Sequence, residues 1–182
     1  MADNVLQNGG FEADWGDERS HRCLIFPEAG DAFAKDVGNI FTPPGWLTWF
    51  HHQPGEWDQP EVRDSWKQAD SRRVHSGQKG MLLFTFFRRH DAGFLQTVPV
   101  DPGARVRLTA CPAPPLSGDP WQDAVSNFTF SVGIDPTGGS DPFADTVVWG
   151  QGAHIYNAYA QVPPVEVEAE SDEVTVFLRS KT

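Results

Sequence analysis

Four stretches of this chain alternate apolar and polar residues with a period of two. Phe128, Phe130, Val132 and Ile134 alternate with Asn127, Thr129, Ser131 and Gly133. Val165, Val167 and Ala169 alternate with Glu166, Glu168 and Glu170. The same rhythm runs through Val106, Leu108 and Ala110, and again through Val174, Val176 and Leu178. Successive side chains point to opposite faces only in extended backbone, so these runs predict half-buried antiparallel strands. The stretch from Met81 to Phe87 is apolar on both faces, which predicts a central strand covered on both sides.

Turn chemistry separates the runs. Asp101-Pro102-Gly103, Ser117-Gly118-Asp119-Pro120, Asp135-Pro136-Thr137-Gly138-Gly139 and Val162-Pro163-Pro164 each break a pattern. Proline presets one turn dihedral and glycine accepts a positive φ. Pro and Gly make up 32 of 182 residues, too many for long helices, since both are poor helix residues. Short helices fit Asp31 to Val37 and Asp119 to Val125 without changing the class. About ten strands with turns roughly every 8–12 residues describe an all-β fold, an antiparallel β-sandwich or jelly roll. With no repeat and no linker, the reading is one domain over residues 1–182.

Charge narrows the function classes. The chain carries 14 Lys plus Arg against 25 Asp plus Glu, a formal charge of -11. Such a field repels phosphate backbones and anionic lipid heads, which disfavours nucleic acid and membrane surfaces as partners. No apolar run approaches the ~20 residues of a membrane helix. Met1-Ala2-Asp3-Asn4 lacks the basic and apolar regions of a secretory signal. Cys23 and Cys111 match no metal-ligand spacing, and two buried thiols are expected in preference to a disulfide.

The string Asn4-Val5-Leu6-Gln7-Asn8-Gly9-Gly10-Phe11-Glu12 resembles the opening of carbohydrate-binding-module jelly rolls, the galactose-binding-like β-sandwiches. Pro44-Gly45-Trp46, Val74-His75-Ser76-Gly77-Gln78-Lys79-Gly80 and Ala92-Gly93-Phe94-Leu95-Gln96-Thr97-Val98-Pro99-Val100 resemble later elements of those domains in the same order. The segment Val132 to Gly139, with Val147-Val148-Trp149 after it, is similar to a subgroup found in multidomain bacterial surface proteins. The resemblance implies a galactose-binding-like sandwich, glycan recognition without catalysis, and an extracellular, cell-surface or virion setting. It also implies a structural Ca²⁺ held by Glu12 with backbone oxygens around Gln78 and Lys79, hard donors that suit that ion. A closing strand with paired acidic residues is expected in such domains, whereas this chain ends at Phe177-Leu178-Arg179-Ser180-Lys181-Thr182. An open sheet edge left by that strand would offer a place for self-association or docking.

Seven tryptophans are present, four of them (Trp46, Trp49, Trp57 and Trp66) within 21 residues. A flat indole stacks on the C–H face of a sugar while polar neighbours hydrogen-bond its hydroxyls. Trp57 and Trp66, flanked by charged and polar residues, are the first candidates for ligand contact. Trp49, Arg88, His90 and Trp121 are secondary candidates, while Trp46 is expected to pack inward. Arg88 and Arg89 beside Phe87 could read a carboxylated or sulfated sugar, or could be a solvated turn paired to the protein's own carboxylates. A structural or adhesive sandwich of a cell surface, filament or virion is the alternative to glycan binding. Enzyme readings are weaker. His51 and His52 point to opposite faces of a strand and cannot readily share a metal, and no strand-turn-helix elbow surrounds Ser20.

Overall fold

The computed structural model describes residues 4–15, 19–55, 59–86, 88–113, 128–155 and 158–182. Eleven strands lie among the described residues: β1 Arg22–Pro27, β2 Phe33–Asp36, β3 Leu47–His52, β4 Glu61–Trp66, β5 Lys79–Phe84, β6 Asp91–Pro99, β7 Arg105–Leu108, β8 Thr129–Asp135, β9 Val148–Trp149, β10 Val165–Glu168 and β11 Glu173–Lys181. Helical structure among them is limited to a 3-10 turn at Ser71–Arg73. The all-β reading is correct. Phe33–Asp36, expected within a short helix, is instead a strand whose four residues are all exposed. The second expected helix, Asp119 to Val125, lies outside the described residues.

Residues fall into two compact units, Asn8–Phe94 with Ser180–Thr182 and Met1–Gln7 with Leu95–Arg179. In the first, strands follow the order β2-β1-β3-β6. β2 returns antiparallel along β1. The chain then passes the start of β1, where Thr42 donates its backbone N–H to Ser20 O at 2.9 Å and its hydroxyl to Arg22 O at 2.8 Å. β3 must therefore leave in the direction of β1, and the two pair in parallel. This parallel pair departs from the antiparallel expectation. Trp49, Phe50, Ile40 and Val62 are almost wholly buried and form the centre of this unit's core.

β4 and β5 form an antiparallel pair in which Trp66 opposes Lys79 and Glu61 opposes Phe84. Val62 also donates to Asn39 O and accepts from Phe41 N, at 3.1 and 3.0 Å. The apolar run expected to be a doubly covered central strand is half-buried throughout β5. The buried role belongs to β6, whose first six residues are all buried. Asp91 and Gln96, at 1% and 5% exposure, hide that role from a simple count of apolar residues.

Three sequence strings converge on Asn8. Its φ of +50° is a left-handed conformation that Asn tolerates better than most residues. Its amide nitrogen donates to Pro44 O at 2.9 Å, its amide oxygen accepts from Ala13 N at 2.9 Å, and its carbonyl takes the Trp46 indole N–H at 3.2 Å. Phe11 then packs at 5.4 Å from Trp46 and 5.9 Å from Phe94 between ring centroids. Trp46 thus packs inward, as expected.

The unit Met1–Gln7 with Leu95–Arg179 has the order β6-β11-β8-β9, with β7 and β10 paired separately and antiparallel. β11 is flanked by β6 and β8, so the chain's last strand is not an open edge. Trp149 lies over Gly133, where a β-carbon would come within 2.8 Å of the indole. Asp135, wholly buried, accepts from Thr137 N, Thr137 Oγ1 and Thr146 Oγ1 at 2.8, 2.6 and 2.8 Å. Those bonds satisfy a carboxylate that burial alone would penalise. Both cysteines are free, as expected, but only Cys23 is buried, Cys111 being exposed. Burial pushes the Cys23 thiol up to about 11.

Candidate functional site

β4 ends at Trp66, which is 40% exposed. Alternation along the strand places Asp64 on the same face, and its Oδ2 accepts the Trp66 indole N–H at 2.7 Å. The other carboxylate oxygen meets Arg19 Nη1 at 3.2 Å. Arg19 in turn lies over two rings, with its guanidinium carbon 5.3 Å from the Phe41 centroid and 5.8 Å from that of Trp15. Across the hairpin, Lys79 Nζ sits 4.5 Å from the Trp66 ring centroid. The same ammonium lies 3.4 Å from Ala13 O and 3.7 Å from Asp14 Oδ1. One face of the indole is therefore held by a cation and its edge by a carboxylate. A partly exposed aromatic surface remains, fixed in orientation.

Glu12 stands beside this cluster. Its carboxylate accepts the backbone N–H of Gln78 at 3.0 and 3.1 Å and that of Lys79 at 3.1 Å. Gly77, at φ +72°, makes that approach possible, because a β-carbon there would fall inside the Glu12 carboxylate. The groups that face the Glu12 carboxylate are the N–H donors of Gln78 and Lys79, where the sequence resemblance implies backbone oxygens sharing a calcium with it. The Gln78 carbonyl accepts from Lys67 N at 2.9 Å. The positive charge nearby is the Lys79 ammonium. Among the described residues no group of three or more His, Cys, Asp or Glu is placed to hold a metal.

Other sequence candidates separate from Trp66. Trp49 is 0% exposed, so it is a core residue and offers no stacking face. His90 is also 0% exposed, with Nδ1 3.0 Å from Thr85 Oγ1 and Nε2 2.9 Å from Ser180 Oγ. It fastens the C-terminal strand to the start of β6 and cannot contact a ligand. Burial lowers its pKa to about 4. Arg88 is exposed and follows the end of the hairpin opposite Trp66. Trp57 and Trp121 lie outside the described residues. Sequence reasoning missed Asp64, Arg19 and Phe41. The two-residue spacing of Asp64 and Trp66 on a strand could have revealed the first, whereas Arg19 is 45 residues away from Asp64.

No protein-family model matches the chain, and no curated protein sequence matches it. Among solved structures it is similar to the carbohydrate-binding module TmCBM61 in complex with β-1,4-galactotriose. The likeness has a TM-score of 0.51 and covers 100% of this chain and 89% of that one, at 14% sequence identity. The likeness is one of fold: a β-sandwich similar to that of this module. The four short strings that resembled such modules thus mark a real similarity of fold. In this sandwich the Asn8 and Glu12 bonds tie the N-terminal string to the Gly45-Trp46 and Gly77-Gln78 turns.

Proposed function

We propose that the protein is a non-catalytic glycan-binding module whose stacking platform is Trp66. The observation that carries this reading is the exposed indole, held by Asp64 at its N–H and by Lys79 on its face. A sugar that stacks on such a ring loses little ring-ordering entropy, because the side chain is already fixed. Asp64 and Arg19 sit where they can meet ring hydroxyls at the platform's edge. The similarity to a module bound to a galactan oligosaccharide supports the class of ligand, and an extracellular or surface-associated setting suits it. On sequence grounds Trp57 remains a first candidate beside Trp66, with Trp121 and Arg88 as secondary contacts.

Titration against a panel of soluble polysaccharides tests the reading. Binding in the micromolar-to-millimolar range, lost in Trp66→Ala while the circular dichroism spectrum is unchanged, is the expected outcome. Undiminished binding by Trp66→Ala, or no binding to any polysaccharide by the unmodified protein, would overturn it.

A further inference from the structure

Positive charge in this acidic protein is concentrated around the hairpin that carries Trp66. Seven of the 14 Lys and Arg residues lie between Arg63 and Arg89, and residues 61–90 contain only three acids. That segment carries a net +4, while the rest of the chain holds 7 basic and 22 acidic residues, a net -15. Fields decay over a Debye length of about 8 Å at physiological salt, so a ligand at Trp66 experiences chiefly residues 67–79, which join β4 to β5 at its end of the hairpin and hold four cations against one acid, and feels Arg88 and Arg89 at the far end less.

Several of these cations are already engaged. Arg72 and Arg73 both pair with Asp70, whose carboxyl they hold well below the usual carboxylate range. Arg63 pairs with Glu61. Arg19 and Lys79, from either side of the platform, offset Asp64 and Asp14. Lys67 differs. It follows Trp66 directly, is exposed, and makes no ion pair among the described residues. Its backbone is fixed by the bond to Gln78 O, so the base of this lysine is anchored next to the platform.

Resting on the glycan reading above, we propose that the saccharide taken at Trp66 carries an anionic group, a carboxylate or a sulfate, which Lys67 recognises. The ring stacks on the sugar's C–H face and the Lys67 ammonium pairs with the anion. A neutral sugar would leave that ammonium unused. An anionic one gains a charge-assisted contact and is drawn to the one strongly basic stretch of the chain.

The test compares three probes on the full chain: polygalacturonate, the sulfated galactan carrageenan, and neutral galactan. Isothermal titration at about 25 mM and about 300 mM salt spans a large change in screening length. At low salt, one or both polyanions should bind about tenfold or more tighter than neutral galactan, and high salt should erase most of that advantage. Lys67→Glu should weaken polyanion binding about five- to tenfold, and Trp66→Ala should abolish it. Which polyanion responds identifies the carboxylate or the sulfate as the recognised group. Neutral galactan bound as tightly as both polyanions, in a Trp66-dependent manner, overturns the anionic preference and leaves the glycan reading intact. Polyanion binding that survives Trp66→Ala or ignores Lys67→Glu is diffuse attraction and overturns the preference too. No binding to any of the three overturns the anionic preference, and no binding across the wider polysaccharide panel overturns the glycan reading as well.

Discussion

Asp64 joins Trp66 to Arg19 with one carboxylate: Oδ2 takes the indole N–H at 2.7 Å and Oδ1 takes the guanidinium at 3.2 Å. A single acidic side chain on β4 thus sets the orientation of the exposed ring and holds an arginine contributed from before β1. The carboxylate keeps 12% of its surface exposed and Arg19 37%, so the arrangement sits at the solvent boundary. Its main effect is to fix the orientation of the ring.

Asp64→Ala should therefore weaken binding more than it weakens the fold. Solvent-exposed ion pairs contribute about 0–1 kcal/mol and a hydrogen bond about 0.5–1.5 kcal/mol, which bounds the loss of stability at roughly 1–2 kcal/mol. Freeing the indole should reduce glycan affinity about three- to tenfold, because rotamer freedom must then be lost on binding. Paired titrations and urea denaturation check this. Unchanged affinity together with a large stability loss would make Asp64 a structural residue only.

Gly77 and Glu12 form a second tie, with an equally direct consequence. Alanine at 77 must adopt φ near +72° and place its β-carbon where the Glu12 carboxylate now sits. Strain at a positive φ and the displaced hydrogen bonds together should cost about 2–3 kcal/mol, or roughly 5–10 °C in melting temperature. In a Glu12→Ala background the same substitution should cost about half as much, since one of its two penalties is gone. Because N–H donors face Glu12, added calcium or a chelator should leave the melting temperature within about 1 °C. A rise of several degrees with calcium would show that a cation displaces those donors.

How far the sequence spoke for the structure depends on where each partner comes from. Strands β7, β8, β10 and β11 were readable because their alternation needs only local residues. β2 was not, since an exposed edge strand has no apolar face to betray its period. The run around β5 misled for the opposite reason: it is apolar on both faces yet only half covered in a two-stranded pair. Trp66 could be picked out from its polar neighbours Ser65 and Lys67, because exposure follows local polarity. Trp49 and His90 could not be assigned to the core that way. The contacts that bury His90 include Ser180, ninety residues on, and no local pattern announces a partner so distant.

That same histidine gives the protein a pH dependence whose sign can be worked out. Buried beside Thr85 and Ser180, the imidazole has its pKa lowered to about 4, chiefly by burial, with the Asp91 charge acting in the opposite direction. Asp91 is itself buried, 3.6 Å from Lys181 Nζ. In the unfolded chain the ring takes a proton near its ordinary value of about 6.5. Between those two values the unfolded state binds more protons, so stability rises with pH through that window. His90 therefore imposes no penalty above about pH 6.5, and as pH falls toward 4 it should remove up to about 3 kcal/mol. His90→Gln retains a hydrogen-bonding side chain without a titrating group. Its urea midpoints should fall less steeply than those of the unmodified protein across that window, leaving only the slope from the carboxylates. Parallel pH profiles for the two proteins would mean that the imidazole is not held neutral in the fold.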